Sequence, residues 1–168
     1  MREVVIVRSY LAAFVILMVS AAADAALLVT TPSNACSLLN SHGLATRGWT
    51  HQYDNEFGCS SPYKEIGTGF PLANNLAFYV AGGPTTARRA KLVLNVNDSN
   101  SAALAHRELL KAAELLSAKA TGMPLPKEIG GAIVDGTMIT KSVGPAAVEV
   151  LRIDWPTGKG YELKVVFE

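Results

Sequence analysis

The chain reads as an α+β domain: an antiparallel sheet of two hairpins plus an N-terminal extended segment, with two helices packed on one face. Three observations predict this. Apolar residues alternate with polar ones from Arg88 to Asn97, the signature of a half-buried strand. They recur at intervals of three and four from Ala102 to Ala120, the signature of a helix with one apolar stripe. Strand patterns and helix patterns also come in separate runs, and strict alternation is what a parallel sheet would require.

At 168 residues the chain has the length of one domain. Its 15 Lys and Arg nearly balance 14 Asp and Glu, so the formal charge of +1 provides no electrostatic footprint for nucleic acid or an anionic membrane. With 49% hydrophobic and 17% charged residues it is too apolar for a disordered chain.

Residues 1–25 read as a secretory signal peptide. Arg2 and Arg8 precede an apolar run from Leu11 to Ala23, interrupted only by Ser20. Such a run spans roughly 20 Å as a helix, short of the ~30 Å hydrocarbon core. Ala23 and Ala25 then stand at the two positions a signal peptidase reads, which places cleavage after Ala25. An uncleaved anchor is the competing expectation, because Val4 to Val7 and Ala26 to Val29 extend the apolar stretch on either side. The run holds no Cys that a lipid could modify. Residues 26–168 form a single exported domain, and the charge stays at +1 because Arg2, Arg8, Glu3 and Asp24 leave together.

In an oxidising compartment Cys36 and Cys59 pair, since no C-x-x-C spacing marks either as a reactive thiol. Closing that loop stabilises the fold by roughly 3 kcal/mol in the chain-entropy treatment. Within it, Asn34 to His42 reads as a short helix capped by Ser33 or Asn34 and stopped by Gly43. Beyond Gly43 the chain is extended. Leu76–Ala81 and Arg88–Asn97 form a hairpin across Gly82, Gly83 and Pro84. Asp98 to Ser101 cap a helix that runs to Thr121 and stops at Gly122, carrying Arg107, Lys111, Glu114 and Ser117 on its outer side. His106 sits at the edge of its apolar stripe. Pro126 opens a shorter helix to Val134, ended by Gly136. The last hairpin puts Leu151, Ile153 and Trp155 on one face with Tyr161, Leu163, Val165 and Phe167. Its turn is a three-residue loop, Pro156 to Gly158, and its register pairs Trp155 with Lys159 and Ile153 with Tyr161. Val148 and Val150 fall out of phase with Leu151, which predicts a bulge or a strand covered on its other side.

Candidate ligand or partner residues concentrate between Arg47 and Tyr63. Trp49, His51, Tyr53, Phe57 and Tyr63 form either a stacking surface for a sugar or aromatic group, or a small aromatic core beneath the bridge. His51, Asp54 and Glu56, with His42 nearby, are the one cluster with metal-ligand chemistry, although their spacing matches neither H-E-x-x-H nor C-x-x-C. Ser60 and Ser61 lie near His51 and Asp54 but lack the G-x-S-x-G elbow. Gly158-Lys159-Gly160 lacks the earlier Gly and the following Ser or Thr of a phosphate loop and is a turn. Asn97-Asp98-Ser99 is a glycosylation sequon, meaningful only in a eukaryotic source. Arg88, Arg89 and Lys91 form a small basic patch on a solvated strand face.

No constellation of acid, base and nucleophile emerges, and no cofactor motif is present. The expectation is a small periplasmic or secreted binding or accessory protein without catalysis, whose partner is a protein or small ligand and which leaves the membrane once its leader is removed. Two alternatives stand beside it: a metal-dependent enzyme or metal-binding protein using His51, Asp54 and Glu56, and a structural component of the envelope or secretion apparatus.

Overall fold

The computed structural model describes residues 26–69 and 72–168, so the signal-peptide reading of residues 1–25 lies outside the described residues. The fold is α+β. Three helices accompany one antiparallel sheet of eight strands. The helices are α1 (Pro32–Cys36), α2 (Ala102–Thr121) and α3 (Lys127–Asp135). The strands are β1 (Thr50–Tyr53), β2 (Glu56–Ser60), β3 (Lys64–Ile66), β4 (Asn74–Gly82), β5 (Ala87–Val96), β6 (Ile139–Val143), β7 (Ala146–Asp154) and β8 (Tyr161–Phe167). They lie in the order β1-β2-β4-β5-β8-β7-β6, with β3 also pairing β4.

β5 owes its central place to its alternation. Ala90, Leu92, Leu94 and Val96 are fully enclosed and join Phe78 of β4 and Leu163, Val165 and Phe167 of β8 in the core. Leu109, Ala112 and Leu116 of α2 belong to the same core, and the alanines let the helix approach the sheet closely. α2 contacts β3, β4, β5 and β8, whereas α3 contacts α2, β6 and β7. Both helices stop on a left-handed glycine, Gly122 and Gly136, as the sequence predicts. Ser117, expected on the outer side of α2, is instead wholly buried, and its hydroxyl donates to the Met123 carbonyl at 2.9 Å. No described helix is long and apolar enough to cross a membrane.

Four local expectations need correction. The first helix starts at Pro32 and ends at Cys36, followed by a 3-10 turn over Asn40–His42, because Ser37 and Asn40 close short i to i−3 bonds. The extended region after Gly43 contains a tight hairpin, β1 to β2, turning at Asp54, which takes a left-handed φ of 44° that Asp tolerates. β6 was not expected; it pairs with β7 across Gly144 and Pro145. The last hairpin is out of register by one: Asp154 faces Tyr161 and Ile153 faces Glu162. Its loop is longer than three residues, closed by the Trp155 N–H donating to Gly160 O at 3.0 Å. Trp155 packs so near Gly160 that an added Cβ would lie 2.6 Å from the indole ring. A one-residue slip reverses both faces, so Val148 and Val150 point into the core without a bulge, while Leu151 and Ile153 turn outward.

β2 and β3 share one partner strand because Pro62 interrupts the ladder. Ser61 replaces the lost pairing: its N–H donates to Phe78 O, and its hydroxyl accepts from the Phe78 N–H, each at 2.9 Å. The N-terminal segment is tied down as well. Leu28 N–H donates to Ala120 O, Ala87 N–H donates to Thr30 O, and Leu27 is buried in the core.

Candidate functional site

Cys36 and Cys59 form the expected disulfide, with Cα atoms 6.1 Å apart. It joins α1 to β2 and thereby anchors the β1–β2 hairpin. Across that hairpin His51 and Phe57 are direct cross-strand partners, their rings in edge contact at 5.1 Å.

The five predicted aromatic and His residues do not make one surface. Tyr53 and Phe57 line a groove of about 200 Å³ together with Gly58, Tyr79, Arg89 and Lys91. Trp49 is half-buried against the core and lines a separate groove with Pro32 and Pro84. Tyr63 is exposed, and its hydroxyl accepts from that of Tyr79 at 3.4 Å. His51 donates through Nε2 to the Asp54 carbonyl at 2.8 Å, a bond that closes the turn.

Glu56 pairs with Arg88 at 3.0 Å. Among the described residues, no three His, Cys, Asp or Glu side chains gather as a metal site would require. Ser61, weighed above as a nucleophile, is buried and spends its hydroxyl on Phe78 and Pro62.

Tyr79 is the groove residue that sequence reasoning missed, and Arg89 and Lys91 were read only as a solvated face. Period two puts all three on one face: Tyr79 is out of phase with Phe78, Arg89 and Lys91 are out of phase with Leu92, and Tyr79 pairs directly with Lys91 across β4 and β5. The Lys91 ammonium lies 5.2 Å from the centre of the Tyr79 ring. Burial holds it below the ordinary lysine range, and the neighbouring Lys164 and Arg89 charges act in the same direction. Burial, the Tyr63 hydroxyl and the Glu162 charge all push Tyr79 ionisation far upward, so it stays a neutral phenol. Gly58 forms the groove floor by necessity, since a Cβ there would stand 2.7 Å from Val80 O.

The other two histidines, His106 and His42, line neither groove. His106 is buried: Nδ1–H donates to Val134 O at 2.9 Å, which leaves Nε2 to accept from the Tyr161 hydroxyl at 2.7 Å. Arg152 stacks 3.8 Å above the Tyr161 ring and pairs with Asp154. This network ties α2, α3 and the β7–β8 hairpin together and borders none of the grooves described.

His42 keeps Nε2 buried with no partner, and burial followed by the Lys64 charge lowers its pKa below 6.5, with Glu108 opposing. The unfolded chain therefore takes up this proton first. The stability that neutral His42 supplies is present above 6.5 and declines as pH falls through its lower folded value. The thermal midpoint is expected to drop between about pH 7.5 and about pH 5.5, and His42→Gln to flatten that slope; an unchanged slope would refute the assignment.

Asn97 of the sequon donates its side-chain nitrogen to Ala73 O at 2.7 Å, so the atom that would carry a glycan is engaged in the fold. Compared with family models, curated proteins and solved structures, the chain matches none.

Proposed function

We propose that this is a small exported binding or accessory protein without catalysis, periplasmic or secreted, whose contact surface is the β1–β2 hairpin and the groove beneath it. The observation that carries the reading is Tyr53. Its ring stands 63% exposed at the hairpin tip, beside a groove walled by residues of three other strands. An aromatic ring left in water forgoes roughly 2 kcal/mol of burial, which a partner that covers it would recover. The Cys36–Cys59 bridge supports export, because such bonds persist in oxidising compartments. The hairpin's β1 is exposed along its length at the sheet edge, where a protein or small ligand can reach it.

Site-specific photo-crosslinking tests this. A photo-reactive phenylalanine analogue at position 53, in protein exported by its own leader, is expected to give an adduct of discrete mass. The same analogue at Glu114, on the exposed side of α2, is expected to give none. Equal labelling at both positions, or none at position 53, would remove the reading. Intact mass of the exported chain is expected to begin at Ala26.

A further inference from the structure

We infer that the hairpin groove binds a single carboxylate-bearing sugar ring, a hexuronate. This rests on the reading of the groove as a binding surface and goes on to specify its ligand. Size comes first: about 200 Å³ lies below the usual 300–1,000 Å³ of pockets for drug-sized ligands, so the groove holds one ring rather than an extended chain.

Charge comes second. Among the described residues Lys91 makes no ion pair within 4 Å; the residue is half-buried, its ammonium faces the Tyr79 ring, and the Glu162 charge that acts on it is opposed by those of Lys164 and Arg89. Arg89, on the same face of β5, reaches Glu168 only at 3.9 Å and donates no hydrogen bond from its guanidinium among the described residues. The one carboxylate on the groove wall, Glu56, is committed to Arg88. An entering carboxylate would supply the missing countercharge in a partly desolvated setting, where charge-assisted hydrogen bonds are strong.

The remaining walls suit a sugar better than a bare anion. Tyr53, exposed at the hairpin tip, offers apolar ring surface to the C–H face of a pyranose. Gln52 already donates its amide to Thr50, which leaves its carbonyl oxygen to accept from a ring hydroxyl. Ser60 adds a hydroxyl that donates or accepts. Gly58 and Ala81 keep the floor low enough for the ring to sit down on the strand backbone.

Titration of the isotope-labelled protein, followed by amide NMR, tests this with four probes: galacturonate, its methyl ester, acetate and N-acetylglutamate. Galacturonate is expected to shift the Gly58, Ser60 and Lys91 amides saturably, with the other three much weaker. Lys91→Met, which keeps the stem and removes the charge, is expected to raise the Kd about tenfold at unchanged thermal midpoint, and Tyr53→Ala to raise it by a smaller factor. Acetate or N-acetylglutamate matching galacturonate would overturn the sugar class while leaving the groove a binding surface. No saturable shift from any probe, or shifts elsewhere in the molecule, would overturn the inference outright. Crosslinking at position 53 reports separately on the parent reading.

Discussion

Replacing Asn74 with alanine is expected to lower the free energy of unfolding by about 3 kcal/mol. Asn74 is 1% exposed, and its side chain makes three hydrogen bonds to main chain. Oδ1 accepts from the Asn97 N–H at 2.7 Å and from the Asp98 N–H at 2.8 Å, and Nδ2 donates to the Asp98 carbonyl at 3.1 Å. These bonds bind the start of β4 to the loop between β5 and α2. The same loop carries the 3-10 turn Ser99–Ser101 that leads into α2, capped by Asp98, which accepts from the Asn100 N–H and the Ser101 hydroxyl. Alanine would leave two main-chain donors enclosed without an acceptor, each a loss of about 1–3 kcal/mol. Urea unfolding with an unchanged m value is the measurement. A loss under about 1 kcal/mol would mean that water reaches the vacated acceptor position and that Asn74 does not organise the junction.

Removing the bridge with Cys36→Ala and Cys59→Ala together is expected to lower stability by about 3 kcal/mol, since the cross-link spans 23 positions of sequence. For a domain of this size that corresponds to a fall in Tm of about 10 °C. The effect should also be local. The closed loop runs from the end of α1 through the 3-10 turn at Asn40–His42 and β1 to Cys59 in β2, and β1 is exposed along its length and forms one edge of the sheet. Amide exchange is therefore expected to rise more in β1 and β2 than in β5 or β8, and exported protein lacking the bridge to lose crosslinking at position 53. Uniform acceleration of exchange across the sheet would show that the bridge acts only on the unfolded chain and not on the groove.

Elements whose signal is local were legible in the sequence. β5 declares itself through Ala90, Leu92, Leu94 and Val96, and α2 through a stripe bounded by Asp98 and Gly122. The last hairpin shows where local reasoning fails. Trp155 to Gly160 fits more than one loop, so the turn residues alone leave the register open. The observed slip of one is decided by the core beneath β7 and β8, where Val148 and Val150 are enclosed while Ile153 lies outside. β6 escaped notice because Ile139, Lys141 and Val143 alternate over only five residues, and its pairing with β7 depends on the Gly144 turn.

The candidate site was half visible. Tyr53 and Phe57 were identified from composition, yet grouping them with Trp49 assumed a continuous strand. The chain turns back at Asp54 and sends Trp49 to another groove. Tyr79, Arg89 and Lys91 join the site from strands more than twenty positions away. Their approach is set by sheet order, which carries no periodic trace in the chain.

The amino-acid order by itself determined the α+β class, the principal helices with their glycine stops, the central strand and the pairing of the two sulfurs. These follow from short-range periodicity, capping chemistry and a choice among two cysteines. Only the tertiary structure decided the strand order, the register of the last hairpin and the company that Lys91 keeps. Each of those depends on which distant apolar surfaces exclude water together, a free energy that no stretch of neighbouring residues contains.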